Sequence, residues 1–381
     1  MDFTFSEDQI AFRDSVSRFL MTEAAPEMLR DVWETETGRS PELWAKIAEQ
    51  GLMGLSIPEA YGGMGMADVD WALLLQEVGY YALPDSLIDT AYVGAGMLAA
   101  LPVGNAARDK WLPGIANGSC RVAVGHPLNP TVSDAALANV LLLPHAVDGG
   151  MELHAVLPEQ CVIQQRKSID SSRRLYDVQW TPGAQTRIAD AVTGQKIWDQ
   201  AGERGALAAA AQLVGLSQRM LDLSVDYVVQ RKQFDKAIGS FQAVQHHLAN
   251  IVTKIEFAKP VLYRAFYALQ HEEADAATRI SHAKVQAGEA GWFGARNGLQ
   301  VHGAMGYTWE VDLQMFMKRA WVLDAAWGDK VFHMARLADR LLHSPNPPLG
   351  AGSTFDRDTV LDHCALLPQG QCKQLAEEVA A

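Results

Sequence analysis

Cysteine is scarce. The four present, Cys120, Cys161, Cys364 and Cys372, are scattered over 381 residues with no metal-like spacing, which excludes a disulfide scaffold and reads as ordinary thiols of a reducing cytosol. Positive charge is also short, with 32 Lys and Arg against 45 Asp and Glu. A net charge of −13 repels nucleic acid and anionic membrane surfaces, and neither is expected as a partner. No apolar run reaches the length of a membrane span, and Met1-Asp2-Phe3 lacks the basic start of a signal peptide. The expected compartment is cytoplasmic. Neither internal repeats nor low-complexity stretches occur. What remains is a chain long enough for two or three domains, 49% hydrophobic and 20% charged, the balance of an ordinary globular protein.

The patterning is helical first. Ser6 followed by Glu7, Asp8 and Gln9 is a capping-box start, with Phe12, Val16, Phe19 and Leu20 on one face. Ser40-Pro41-Glu42 opens another helix that stops near Gly51, Asp68 caps a third through Trp71 and Val78, and residues 86–118 hold two more periods. The composition changes at Cys120. Short β-like runs follow at Arg121–Val124, Val140–Leu143, Glu152–Leu157, Cys161–Gln165 and Leu175–Trp180, separated by turns such as Asp148-Gly149-Gly150. Helical periodicity returns near Ile197 and recurs around 241–273, 278–302 and 329–342. The expected organisation is a helical domain over 1–119, a small β domain over 120–196, a helical bundle over 197–343 and a loosely attached tail over 344–381.

The most suggestive stretch is RKQFDKAIGSFQAVQHHLA, Arg231 to Ala249. A helix runs into Arg231, a loop carrying Asp235 and Gly239 interrupts it, and a second helix begins near Phe241 and Gln242. Such a corner suits an anion with a flat ring attached, since Arg donates forked hydrogen bonds to phosphate while Phe and Gln meet a base. The plainer reading is a capped helix end with Arg231 solvated or paired to a carboxylate.

This stretch resembles the signature of the acyl-CoA dehydrogenase family, flavoproteins that oxidise an acyl-CoA thioester between its α and β carbons. Two further stretches carry the same resemblance, Gln300-Val301-His302-Gly303-Ala304-Met305-Gly306-Tyr307-Thr308 and Ile57-Pro58-Glu59-Ala60-Tyr61-Gly62-Gly63. The resemblance implies an α+β multidomain fold: an N-terminal helical domain, a small middle β domain and a C-terminal four-helix bundle. It implies FAD, with the flavin ring between the middle domain and bundle of one subunit and the ADP half held by the bundle of a neighbour. The matching ADP-side positions are Arg231, Gln233, Phe234 and Gln242, then Gln300, Gly303 and Ala304, the last replacing a usual glycine.

Other family features are altered. Val124-Gly125-His126-Pro127-Leu128-Asn129 stands where the family has a flavin-contacting Thr-Glu-Pro-like segment, and the Trp-Ile-Thr-Asn-like strand has no counterpart. The catalytic Glu of most members falls at Trp327, about twenty residues past Gly306-Tyr307, and the alternative early position falls at Gly205, followed by Ala206. Glu203 and Asp329 are the nearest carboxylates, each offset by two residues, about 200° on a helix. Glu203 is the candidate base only if an insertion realigns it, and a solvated helix-start carboxylate is the plainer reading. Asp324 reads as a helix-end residue, His246 and His247 as surface or interface groups, His302 as packing near the adenine, and Met305 with Trp309 as core.

An intact ADP side beside an eroded flavin and base side resembles the base-lacking chain of the heteromeric α2β2 acyl-CoA dehydrogenases of steroid side-chain degradation. Such a chain serves a catalytic partner that holds the acyl-CoA, with an electron-transferring flavoprotein as acceptor. The alternatives are a homo-oligomeric dehydrogenase with Glu203 as displaced base, and a flavin-free structural or binding paralogue. The residues do not name the acyl group.

Overall fold

The structure, a computed structural model, describes residues 4–83 and 86–343. The tail expected over 344–381, with Cys364 and Cys372, lies outside the described residues. The described residues up to His333 pack as one unit.

Six helices open the chain: α1 Glu7–Glu23, α2 Pro26–Glu34, α3 Pro41–Glu49, α4 Trp71–Tyr80, α5 Ala95–Ala99 and α6 Ala106–Ala116. The Ser6 capping box forms with Gln9, and Ser40 caps α3, which stops before Gly51 at φ 75°. The expected cap at Asp68 does not form. Asp68 begins a 3₁₀ turn whose Asp70 carboxylate accepts from Ala67 N–H at 2.9 Å. Asp68 itself is held by Arg204 Nε at 3.0 Å and Tyr92 Oη at 2.8 Å. Tyr92 belongs to a π-helical stretch, Ile88–Gly94, that runs into α5.

Strands β1 Val122–Val124, β2 Val132–Ser133, β3 Val140–Val147, β4 Gly150–Val156, β5 Val162–Arg166, β6 Leu175–Gln179 and β7 Arg187–Ala189 form two sheets, ordered β1-β3-β4-β7 and β2-β6-β5. The β3–β4 hairpin turns at Asp148-Gly149, pairing Val147 with Gly150. Strands β2 and β7 are two and three residues long, too short to leave a period-2 pattern. Ala123, Leu141, Leu143, Val156 and Tyr176 fill a small separate core.

Helix α7, Ala191–Gln230, is 40 residues, about 60 Å long, and it starts six residues before the first clear apolar period, where Asp190 accepts from Thr193 N–H at 2.8 Å. It crosses α4 closely: a Cβ on Gly215 would stand 1.9 Å from the Gln76 carbonyl, so only glycine permits this crossing. A two-strand hairpin follows, β8 Lys232–Gln233 and β9 Lys236–Ala237, then α8 Gln242–Gln270, α9 Ala276–His302, α10 Leu313–Ala325 and α11 Lys330–Ala338. Helix α10 has no counterpart among the expected periods. Its face is obscured because seven residues from Leu313 to Ala320, among them Gln314 and Arg319, are buried, which erases the polar side of the repeat. Among the described residues no helix is long and apolar enough to cross a membrane.

Candidate functional site

The two positions where the sequence comparison places a base meet each other. Trp327 follows α10 in a left-handed conformation, φ 59°, which costs an L-residue about 1–2 kcal/mol. Its surroundings over-determine it. Trp327 N–H donates to Asn129 Oδ1 at 2.8 Å, and its carbonyl accepts from His333 Nε2 at 3.1 Å. Lys284 Nζ donates to the carbonyls of Asp324 at 2.7 Å and Gly328 at 3.2 Å. Burial pushes the Lys284 ammonium down to about 8, against the pull of Asp324 and Asp329. The indole so fixed is buried and lies against Gly205, where a Cβ would stand 2.1 Å from the ring.

The segment from His126 to Asn129 is spent on the same packing. His126 lies 5.2 Å from the Trp327 ring and 5.6 Å from Trp198, centroid to centroid. Leu128 N–H donates to His126 Nδ1 at 3.1 Å, so Nε2 carries the proton and donates to the Trp198 carbonyl at 2.9 Å. Burial lowers the imidazole pKa and keeps the ring neutral.

Beyond Trp327 a cavity of about 70 Å³ remains, bounded on α7 by Gly205, Ala208 and Gln212. A water needs roughly 10–15 Å³ of such space, so several waters fit. Its walls are ionic. Arg39 forks onto Asp134 at 2.8 and 3.1 Å. Arg319 Nε donates to Asp170 at 2.5 Å and its Nη2 to Ser172 Oγ. Burial alone would raise the Asp170 carboxyl, but Arg319 and the Ser172 hydroxyl and amide hold it below its ordinary value. Asp89 is pushed up to about 6 by burial, against the opposing charge of Arg173. Glu203, half-buried on α7, does not line this cavity. The Asp329 carboxylate accepts from Phe332 N–H at 2.8 Å, capping the start of α11.

The ADP-side candidates lie at the far end of α7 and are exposed. Arg231 is the residue that closes α7. Phe234 and Asp235 form the turn of the β8–β9 hairpin at φ 53° and 62°, the geometry of a type I′ turn. Phe234 is 85% exposed, its ring 6.1 Å from Phe241. Gln233 lies on β8, and Gln242 opens α8. Tyr227, one turn before Arg231, stacks on His302 at 4.3 Å, and His302 Nδ1 is 2.8 Å from the Gly298 carbonyl. That stack sets the end of α7 beside the end of α9 and brings the two stretches together.

Gln300 and Gly303 line a second cavity of about 460 Å³ together with Trp292, Arg296, Tyr307 and Trp321. Gly303 takes φ 60°, ψ −137°, a conformation essentially confined to glycine, and no atom lies within 4 Å of where its Cβ would be. Ala304 is exposed on the 3₁₀ turn that follows. Arg231, Gln233, Phe234 and Gln242 are not part of this cavity's lining. Sequence reading missed Trp292 and Arg296, although their i, i+4 spacing with Gln300 marks one face of α9. Trp309, expected in the core, is 67% exposed with Lys318 Nζ 3.8 Å over its ring. A short loop between two helices carries it outward.

Residues 6–119 match the acyl-CoA dehydrogenase N-terminal domain and residues 194–342 the acyl-CoA dehydrogenase C-terminal domain. The acyl-CoA dehydrogenase IpdE2 of Mycolicibacterium smegmatis is 32% identical, over 83% of this chain and 93% of that protein. The chain belongs to the acyl-CoA dehydrogenase family. Its fold is shared with the ChsE4–ChsE5 complex from Mycobacterium tuberculosis, at a TM-score of 0.81 and 21% identity over 91% of this chain and all of that one. It is shared also with a Tcur3481–Tcur3483 steroid acyl-CoA dehydrogenase variant, at 0.78 and 23% over 87% and 97%.

The chain is thus an oxidoreductase of the family that acts on the CH–CH bond of acyl-CoA, with FAD as cofactor and the α+β acyl-CoA dehydrogenase fold. The two halves of that cofactor fare differently here. The exposed guanidinium, amides and open Gly303 backbone suit an adenine nucleotide diphosphate. The junction of β domain and bundle is instead packed with His126, Trp198 and Trp327.

Proposed function

We propose that this chain is the base-lacking subunit of a heteromeric acyl-CoA dehydrogenase, lending the ADP side of an FAD site to a catalytic partner chain that holds acyl-CoA and base. The observation that carries the reading is the Trp327 indole seated on Gly205: both base positions are apolar and one fills the other. In this reading FAD would supply the hydride acceptor in the partner's pocket, and this chain would bind and orient its nucleotide half. Arg231 meets the diphosphate, Phe234 packs at the adenosine, and Gln233, Gln242, Gln300, Gly303 and Ala304 complete the contacts. Glu203 is a helix-surface carboxylate with no catalytic part. Electrons leave to an electron-transferring flavoprotein, and the assembly works in the cytoplasm.

The test is the visible spectrum of the chain purified alone and after co-expression with a catalytic acyl-CoA dehydrogenase chain from the same genome. Flavin bands are expected only in the co-expressed sample, at about one flavin per two chains, and Arg231→Ala lowers that content. A full flavin per chain in the lone protein, or unchanged flavin affinity in the Arg231→Ala complex, refutes the reading.

A further inference from the structure

Arg296 lies outside the stretches that carry the family resemblance, yet it lines the cavity to which Gln300 and Gly303 contribute. No Asp or Glu shares that lining, and Arg296 makes no ion pair among the described residues. On a chain of net charge −13 this is a local cationic pocket. Its walls are aromatic: Trp292 and Trp321 are 52% and 37% exposed, and Trp292 stands one helical turn before Arg296 on the same face of α9. The volume of about 460 Å³ falls within the roughly 300–1,000 Å³ of small-ligand sites. A guanidinium beside exposed indoles matches a ligand with an anionic group on a flat heterocycle.

We propose that Arg296 is a second phosphate-binding cation of the nucleotide site, with Trp292 and Trp321 as walls on which the purine stacks. This rests on the reading that the bundle receives the ADP half of FAD. Arg231 at the end of α7 and Arg296 on α9 then hold the nucleotide from two elements that the Tyr227–His302 stack locks side by side.

The experiment titrates the lone chain with ADP and with adenosine by calorimetry, in the wild type, Arg296→Ala and Arg296→Lys, and measures FAD affinity of the co-expressed complex carrying the same substitutions. Arg296→Ala is expected to weaken ADP and FAD about tenfold or more. Adenosine is unaffected and Arg296→Lys falls between. Quenching of tryptophan fluorescence by ADP, diminished in Trp292→Phe and Trp321→Phe, locates the purine. Unchanged ADP and FAD affinity in Arg296→Ala overturns the proposal. So does an Arg296→Ala chain that binds ADP normally but no longer assembles, which makes the cavity a protein-binding face. The number of flavins per pair of chains tests the subunit role separately, and it can fail while ADP binding by Arg296 stands.

Discussion

The indole of Trp327 lies so close over Gly205 that a methyl group added there would stand 2.1 Å from the ring. The contact spans a loop after α10 and the early part of α7, the two places from which an acyl-CoA dehydrogenase presents its carboxylate. Closure is built in by Asn129, His333 and Lys284, whose hydrogen bonds all end on the backbone of residues 324–328. The loop is therefore held in place without depending on the Trp327 side chain.

Gly205→Ala should accordingly destabilise the chain by about 1–3 kcal/mol through overpacking. Trp327→Ala should cost about 3–5 kcal/mol through the cavity it leaves. Combined, the two changes should cost less than their sum, since the small side chain at 327 accepts the methyl group. Urea unfolding of the four proteins measures the coupling. Strict additivity would show that the indole does not rest on Gly205 in solution.

Trp327→Glu restores a carboxylate at the family's usual base position. Because His126 and Asn129 still fill the junction between β domain and bundle, the purified lone variant should fold with reduced stability and show no dehydrogenation of acyl-CoA with a dye acceptor. Turnover by the lone variant would mean that the base alone was missing.

The sequence displayed the helix-start signals of Ser6 and Ser40 and the β3–β4 turn, because each is written in adjacent residues. Three features were not legible. Asp68 has the residue type of a cap, but its carboxylate is claimed by Arg204, 136 positions away. The helix α10 hides because two of its polar residues, Gln314 and Arg319, are buried, the second paired with Asp170. The exposure of Trp309 depends on the path of a loop. At the site, the sequence showed Trp327 and Gly205 at the two positions where the resemblance places a base. That these two residues touch required the fold, since Gly205 and Trp327 are 122 positions apart.

Glu203→Gln tests the displaced-base alternative. A working general base contributes about 10²–10⁴-fold to rate, so its loss would be unmistakable. Turnover of the co-expressed complex should instead stay within about twofold of the wild type, far below that range. A drop of two orders of magnitude with folding intact would return Glu203 to the catalytic role.

Asp89 offers a pH test of the ionic cavity. It faces Arg173, Asp134 and Arg39, and burial raises its carboxyl to about 6 from 3.8. Between those values the folded chain binds the extra proton. Stability contributed by Asp89 is therefore greatest at low pH and is lost as the pH rises through 6, when a buried carboxylate must ionise. Asp89→Asn removes this dependence. Wild-type stability minus that of the variant should fall by an amount on the order of 2 kcal/mol between about pH 4.5 and 7.5. The measurement is urea unfolding at both pH values. Parallel profiles would mean that Arg173 neutralises Asp89 fully and that its carboxyl ionises near the ordinary value.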